Sequence, residues 1–80
     1  MKTLKVKFST IDHVKKFVNA IQSVDVDIDL VHNRYVIDAK SIMGIFSMDL
    51  SRPLDLVIHS EDKELTDSLS EIFSELGILV

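Results

Sequence analysis

The chain contains no cysteine, which excludes a disulfide framework and any thiolate metal site. Only two glycines and one proline interrupt it. With 46% hydrophobic residues, its composition is not that of a disordered segment. No apolar run approaches the roughly 18 residues that a membrane-spanning helix requires. The opening residues, Met1-Lys2-Thr3-Leu4-Lys5-Val6-Lys7, alternate charged and apolar side chains and lack the continuous apolar stretch of a signal peptide. A cytoplasmic location, with no membrane association, is the expectation.

The formal charge of −4 argues against direct binding to nucleic acid, because duplex affinity comes mostly from neutralised phosphates. Lys2, Lys5 and Lys7 form a small basic cluster, and Asp25, Asp27 and Asp29 are expected on the same sheet face, balancing it. Eighty residues make one domain, here 1–80, and not two. A core of that size contributes only a few kcal/mol of net stability, so most apolar positions are needed for packing.

The apolar pattern changes period several times along the chain. Residues 3–8 alternate, with Leu4, Val6 and Phe8 on one face, the period of a half-buried strand. Ile11, Val14, Phe17, Val18 and Ile21 then recur at helical spacing, predicting a helix over residues 10–22 with Ser9 as cap and Asp12 completing a capping box. Alternation returns over 24–31, with Val24, Val26, Ile28 and Leu30 inward. His32-Asn33-Arg34 turns the chain into a second strand over 35–38. Ser41 is a good N-cap for a short helix over 42–47, in which Gly44 is costly unless another group approaches closely. Ser51-Arg52-Pro53 is a turn, and 54–59 alternate again. In the last helix Ser60 is the expected cap, and Glu61, Asp62 and Glu64 favour the positive end of its dipole. Leu65, Leu69, Ile72, Phe73 and Leu76 form its stripe, and Gly77 stops it. The order β-α-β-β-α-β-α, with strands polar on one face, predicts an α/β (α+β) fold with an antiparallel sheet and all helices on one side.

That element order, with Lys40-Ser41-Ile42-Met43-Gly44 between the third strand and a short helix and Phe46-Ser47-Met48 after it, resembles the histidine-containing phosphocarrier (HPr) family of the bacterial sugar phosphotransferase system. The resemblance spans residues 2–77. It implies an open-faced sandwich of four strands in the order 1-4-2-3. It also implies a regulatory serine at Ser41, phosphorylated by an HPr kinase/phosphorylase, and a partner-docking surface drawn from Lys40, Ile42, Met43 and Phe46. Ile45 and Met48 are the residues of this run expected in the core.

The family's phosphorylated histidine stands at the start of the first helix, in a His-Ala-Arg-Pro-like motif. Thr10-Ile11-Asp12-His13-Val14-Lys15-Lys16 has no arginine and no proline there. Counting from the first strand places His13 at the carrier position; counting back from Lys40-Ser41 without gaps places Thr10 there and keeps the helix stripe in register. Asp12 beside His13 also repels a phosphoryl group. The three histidines have no helical i, i+4 spacing and no thiolate neighbours, so no metal site, cofactor or independent catalytic activity is expected. The preferred expectation is therefore a regulatory HPr-like protein that does not relay phosphate. Its partners would be a kinase of the HPr kinase/phosphorylase type and a LacI-type regulator or phosphotransferase component. A true phosphocarrier using His13, and an interaction module with neither phosphorylation site active, are the alternatives.

Overall fold

The computed structural model describes residues 1–80. Strand β1 runs over Lys2–Val6, helix α1 over Ile11–Ile21, and strands β2 and β3 over Ile28–His32 and Tyr35–Asp38. The short helix α2 is Ile42–Phe46, β4 is Leu54–Ile58 and α3 is Lys63–Glu75. All strand pairs are antiparallel and the sheet is ordered β1-β4-β2-β3. No helix is long and apolar enough to cross a membrane.

The register explains why the sheet is one-sided. Leu4 faces Leu56, Val6 faces Leu54, and Leu30 lies between Leu56 and Ile37. Successive side chains point to opposite faces, so these residues share one face with Ile28 and Ile58. The stripes Val14-Phe17-Val18-Ile21 of α1 and Leu69-Phe73 of α3, with Ile45 of α2, cover it in a single cluster of 16 buried apolar residues. At its centre the Phe17 ring meets Phe8 edge-on at 5.1 Å and Phe73 at 5.3 Å. Each fully buried ring contributes about 1.5–3 kcal/mol. The opposite face has no helix and pairs Lys5 with Asp55 at 2.6 Å.

Several boundaries differ from the sequence pattern. The strand β1 ends at Val6, because the Lys7 amide donates to the Ile78 carbonyl (2.8 Å), outside the sheet ladder; Phe8 is buried but lies beyond the strand. Residues 24–27 alternate as a strand would, yet β2 starts only at Ile28. Val24 and Val26 pack half-buried against the core, and the Asp27 carbonyl accepts from His59 just past β4 (2.9 Å).

Two caps also move. Thr10, not Ser9, caps α1: its Oγ1 accepts the His13 amide at 3.0 Å, while Asp12 pairs with Lys16. Asp62, not Ser60, caps α3, accepting from the Glu64 and Leu65 amides; Ser60 Oγ accepts the Asp62 amide one step earlier. In each case two adjacent or near-adjacent polar residues can cap, and the one with extended backbone directly before the first helical residue does so.

The turns that frame α2 are tightly held. Lys40 donates its backbone amide to Asp38 Oδ1 (2.9 Å), accepts from Gln22 Nε2 (3.1 Å) and directs its ammonium at the Val24 carbonyl. This one residue ties the end of α1 to the turn after β3. Gly44 is where α2 crosses β3: a Cβ there would lie 2.7 Å from Ile37 Cγ2 and 3.1 Å from Ser41 Oγ. Gly77, at φ +77°, turns the chain out of α3. Residues 78–80 then line the outer edge of β1, with the Val80 amide donating to Lys5 O (3.0 Å) and a bridge between Val6 and Leu79.

Gly44→Ala is accordingly expected to lose about 1–3 kcal/mol despite alanine's higher helix propensity, because overpacking outweighs it. Urea unfolding of the variant measures this, and Ile37→Ala in the same chain should recover part of the loss by opening the space.

Candidate functional site

The site predicted from sequence lies along α2 and at the start of α1. Ser41 is the N-cap of α2, in extended conformation (φ −94°, ψ 98°), with its Oγ accepting the Gly44 amide at 3.2 Å. The side chain is exposed. At the other end of the helix Ser47 Oγ donates to Gly44 O at 2.6 Å, closing the last turn. Serine at Ser41 thus has a structural role whatever else it does, since α2 has only five residues and few other bonds to hold its first turn.

The apolar residues of α2 divide as helical geometry requires. Ile45 is fully buried, and Ile42 and Met48 pack half-buried against the core. Met43 points outward, 77% exposed, and Phe46 is 40% exposed. A side chain as flexible and polarizable as methionine next to an exposed ring suits a protein-contact surface.

Lys40 is in a different position from that expected of a docking residue. Its ammonium is turned to the Val24 carbonyl and the residue is half-buried, so it braces the fold behind Ser41.

The two candidate carrier positions are now separable. Thr10 occupies the N-cap, and its hydroxyl is committed to the His13 amide. His13 sits within the first helical turn, half-buried, and its Nδ1 accepts the Ser9 amide at 3.4 Å. The Asp12 carboxylate beside it is 3.2 Å from Lys16 Nζ, the following turn's cation. No arginine side chain lies in this stretch of sequence. The other two histidines are elsewhere: His59 contacts Asp29 at 2.8 Å on the open sheet face, and His32 ends β2.

A groove of about 390 Å³ joins the start of α1 to the end of α2, lined among others by Thr10, Ile11, Phe46 and Leu50. The helical spacing puts Ile11 in the buried stripe of α1, but it is 65% exposed. As the first helical residue it overhangs the sheet, and the packed stripe begins only at Val14. Thus the structure brings Phe46 to Thr10 and Ile11, while Ser41 and Met43 lie toward the opposite end of α2, whose whole rise is about 7 Å. The exposure of Ile11 has one trace in the sequence, its place directly after the capping pair Ser9-Thr10.

The loop after α2 is held by Asp49, whose carboxylate accepts from both Ser51 Oγ (2.6 Å) and the Ser51 amide (3.0 Å). The Ser51 hydroxyl first, then its amide, hold this carboxyl below the usual carboxylate range.

Two measurements follow from these geometries. Ser41→Ala should cost about 1 kcal/mol and lower the melting temperature by roughly 4–8 °C, whereas Ser41→Asp, a cap itself, should keep most of that stability. For Asp49 the folded value lies below the unfolded one, so its contribution is complete above the unfolded value of about 4 and fades as pH falls through the folded value. In acid titrations of unfolding, Asp49→Asn should therefore lower stability at neutrality and flatten the loss at low pH, converging on the parent chain once Asp49 is protonated.

No protein-family model matches this chain, and no curated protein or solved structure matches it either.

Proposed function

We propose that this chain is an HPr-like regulatory protein that does not relay phosphate, working in the cytoplasm through a seryl site at Ser41 and a docking surface around Met43 and Phe46. The observation that carries the reading is the juxtaposition on α2 of an exposed cap hydroxyl, Ser41, with the exposed apolar side chains Met43 and Phe46. The sheet order β1-β4-β2-β3 and the antiparallel pairing agree with what the resemblance implies for the fold.

The chemistry of modification is coherent at this position. A phosphoryl group on Ser41 Oγ would add nearly two negative charges at the end of a helix whose first amides face outward. Being beside Met43, that charge would change what the apolar surface binds. The partners the reading calls for are a kinase of the HPr kinase/phosphorylase type and a LacI-type regulator or phosphotransferase component that discriminates the two forms.

His13 supports the carrier alternative poorly. Its ring nitrogen is engaged by the Ser9 amide, and Asp12 adds repulsion where phosphate would sit. One observation favours the plain interaction module: the ammonium of Lys40, the cation adjacent in sequence, faces Val24 and not the Ser41 hydroxyl.

The deciding experiment is the intact mass after incubation with ATP and an HPr kinase/phosphorylase, with Ser41→Ala in parallel. One added phosphate, absent from the variant, is the expected result. An unmodified chain that still captures a LacI-type regulator, and loses it on Met43→Ser or Phe46→Ser, would replace this reading with the interaction module.

A further inference from the structure

The sheet's two edges are treated differently. Residues 78–80 cover the end of the β1 edge, at residues 5–7, but no segment pairs with the outer edge of β3, where Tyr35 and Val36 are 67% and 62% exposed. β3 (Tyr-Val-Ile-Asp) contains no proline and no lysine and pairs with β2 without a bulge; its protection is its four-residue length and the charge of Asp38.

The direction of its free backbone groups is fixed by its one known side. Ala39 donates its amide to Ile28 O at 2.8 Å, toward β2. Groups alternate along an antiparallel strand, so Tyr35 and Ile37 also face β2, while the amides of Val36 and Asp38 face outward. The outward Asp38 carbonyl already accepts the Ser41 amide at 2.9 Å, which leaves the Asp38 amide and both backbone groups of Val36 unfilled.

We propose that this edge pairs with the β3 edge of a second copy of the chain, antiparallel, about a two-fold axis at Val36. In that register Val36 faces its own equivalent and exchanges both backbone hydrogen bonds with it. Arg34, the turn residue just before β3, then comes beside Asp38 of the second copy, and Asp38 beside the second copy's Arg34, with Val36 and Asp38 on the open face of the sheet. Two opposite-charge pairs thus flank an apolar centre. A register centred on Asp38 instead sets carboxylate against carboxylate, which is repulsive.

On the core side the same register sets the second copy's Tyr35 opposite Ile37. A cavity of about 320 Å³ adjoins Ile37, bounded by His32, Met48, Asp49 and the chain's own Tyr35, so the second copy's ring meets the first copy's Tyr35 there. The interface uses the same patch on both copies, as closed two-fold pairs require. One short strand and one ring make a small interface, so the pair is of the transient kind and forms at high protein concentration.

The charge pattern allows a test that only this register passes. Sedimentation equilibrium of the whole chain, from micromolar to millimolar, is expected to show a monomer–dimer equilibrium. Arg34→Glu sets two carboxylates against each other at each flanking pair, and Asp38→Lys sets two cations there, so each variant alone should weaken dimerisation about tenfold or more. In a mixture of the two variants, the introduced glutamate of one chain meets the introduced lysine of the other. The remaining Asp38 and Arg34 meet as before, and association should return. Val36→Lys sets two lysines across the axis and should abolish it. All three positions are exposed, and circular dichroism checks that the variants fold.

A monomer at millimolar concentration overturns the proposal. So does a dimer that Val36→Lys leaves intact, since it would use another face. Loss in the single variants without recovery in the mixture would overturn the register.

Discussion

The Phe17 ring is the contact on which the remaining geometry depends. It touches Phe8 on one side and Phe73 on the other, so it joins the chain leaving β1, the middle of α1 and the end of α3. In a domain with a single core, such a three-way aromatic contact fixes how two helices lie over the sheet, because few other side chains span the distance between them. With α1 seated, its first turn overhangs the sheet and its last residues reach the turn after β3. There Gln22 meets Lys40. The placement of α2, and hence of Ser41, Met43 and Phe46, is downstream of that packing.

The exposed apolar face of α2 is what the core leaves uncovered. α2 is amphipathic over only five residues, and burying Ile45 necessarily turns Met43 outward. Gly44 permits this arrangement by letting the helix rest on Ile37 without a side chain between them. The exposure of Met43 is thus a consequence of the same contact that holds the helix down. This is why a short helix with a glycine near its middle leaves large apolar residues exposed: the backbone sits close to the sheet, and what does not face the core faces out.

Much of this was legible in the residues. The period-2 runs read over 24–31 and 54–59, which hold β2 and β4, and the stripes of α1 and α3 are strong signals, because one-sided burial enforces them, whereas β3 is read from the turn before it. The cap role of Ser41, the close approach at Gly44 and the left-handed turn at Gly77 were readable from residue type. What failed were features that depend on a distant partner. Residues 24–27 alternate but stay outside the sheet, bonded to the end of β4 only through Asp27 and His59, and alternation cannot reveal that. The choices between Ser9 and Thr10, and between Ser60 and Asp62, turn on which residue directly precedes the helix, and both members of each pair are competent caps. Lys40 reads as an outward cation because lysines usually are; its ammonium instead meets a carbonyl sixteen residues away in sequence. Ile11 has the spacing of a core residue and the position of a surface one, and position won.

The least legible feature was the fate of the two sheet edges, because hydrogen-bonding capacity leaves no mark in side-chain pattern. Gly77 decides one of them. Its positive φ reverses the chain after α3, and Ile78, buried, anchors the three residues that then run beside β1. The other edge, β3, is bounded by α2 at its end: Ser41 donates its amide to the Asp38 carbonyl at 2.9 Å, and Asp38 in turn accepts from Lys40. The exposed edge and the exposed face of α2 are therefore not independent surfaces. They meet at one turn, 38–41, and share its hydrogen bonds. A disturbance of that turn from either side reaches the other through those short bonds, whereas the closed edge at β1, held across the sheet, is insulated from both.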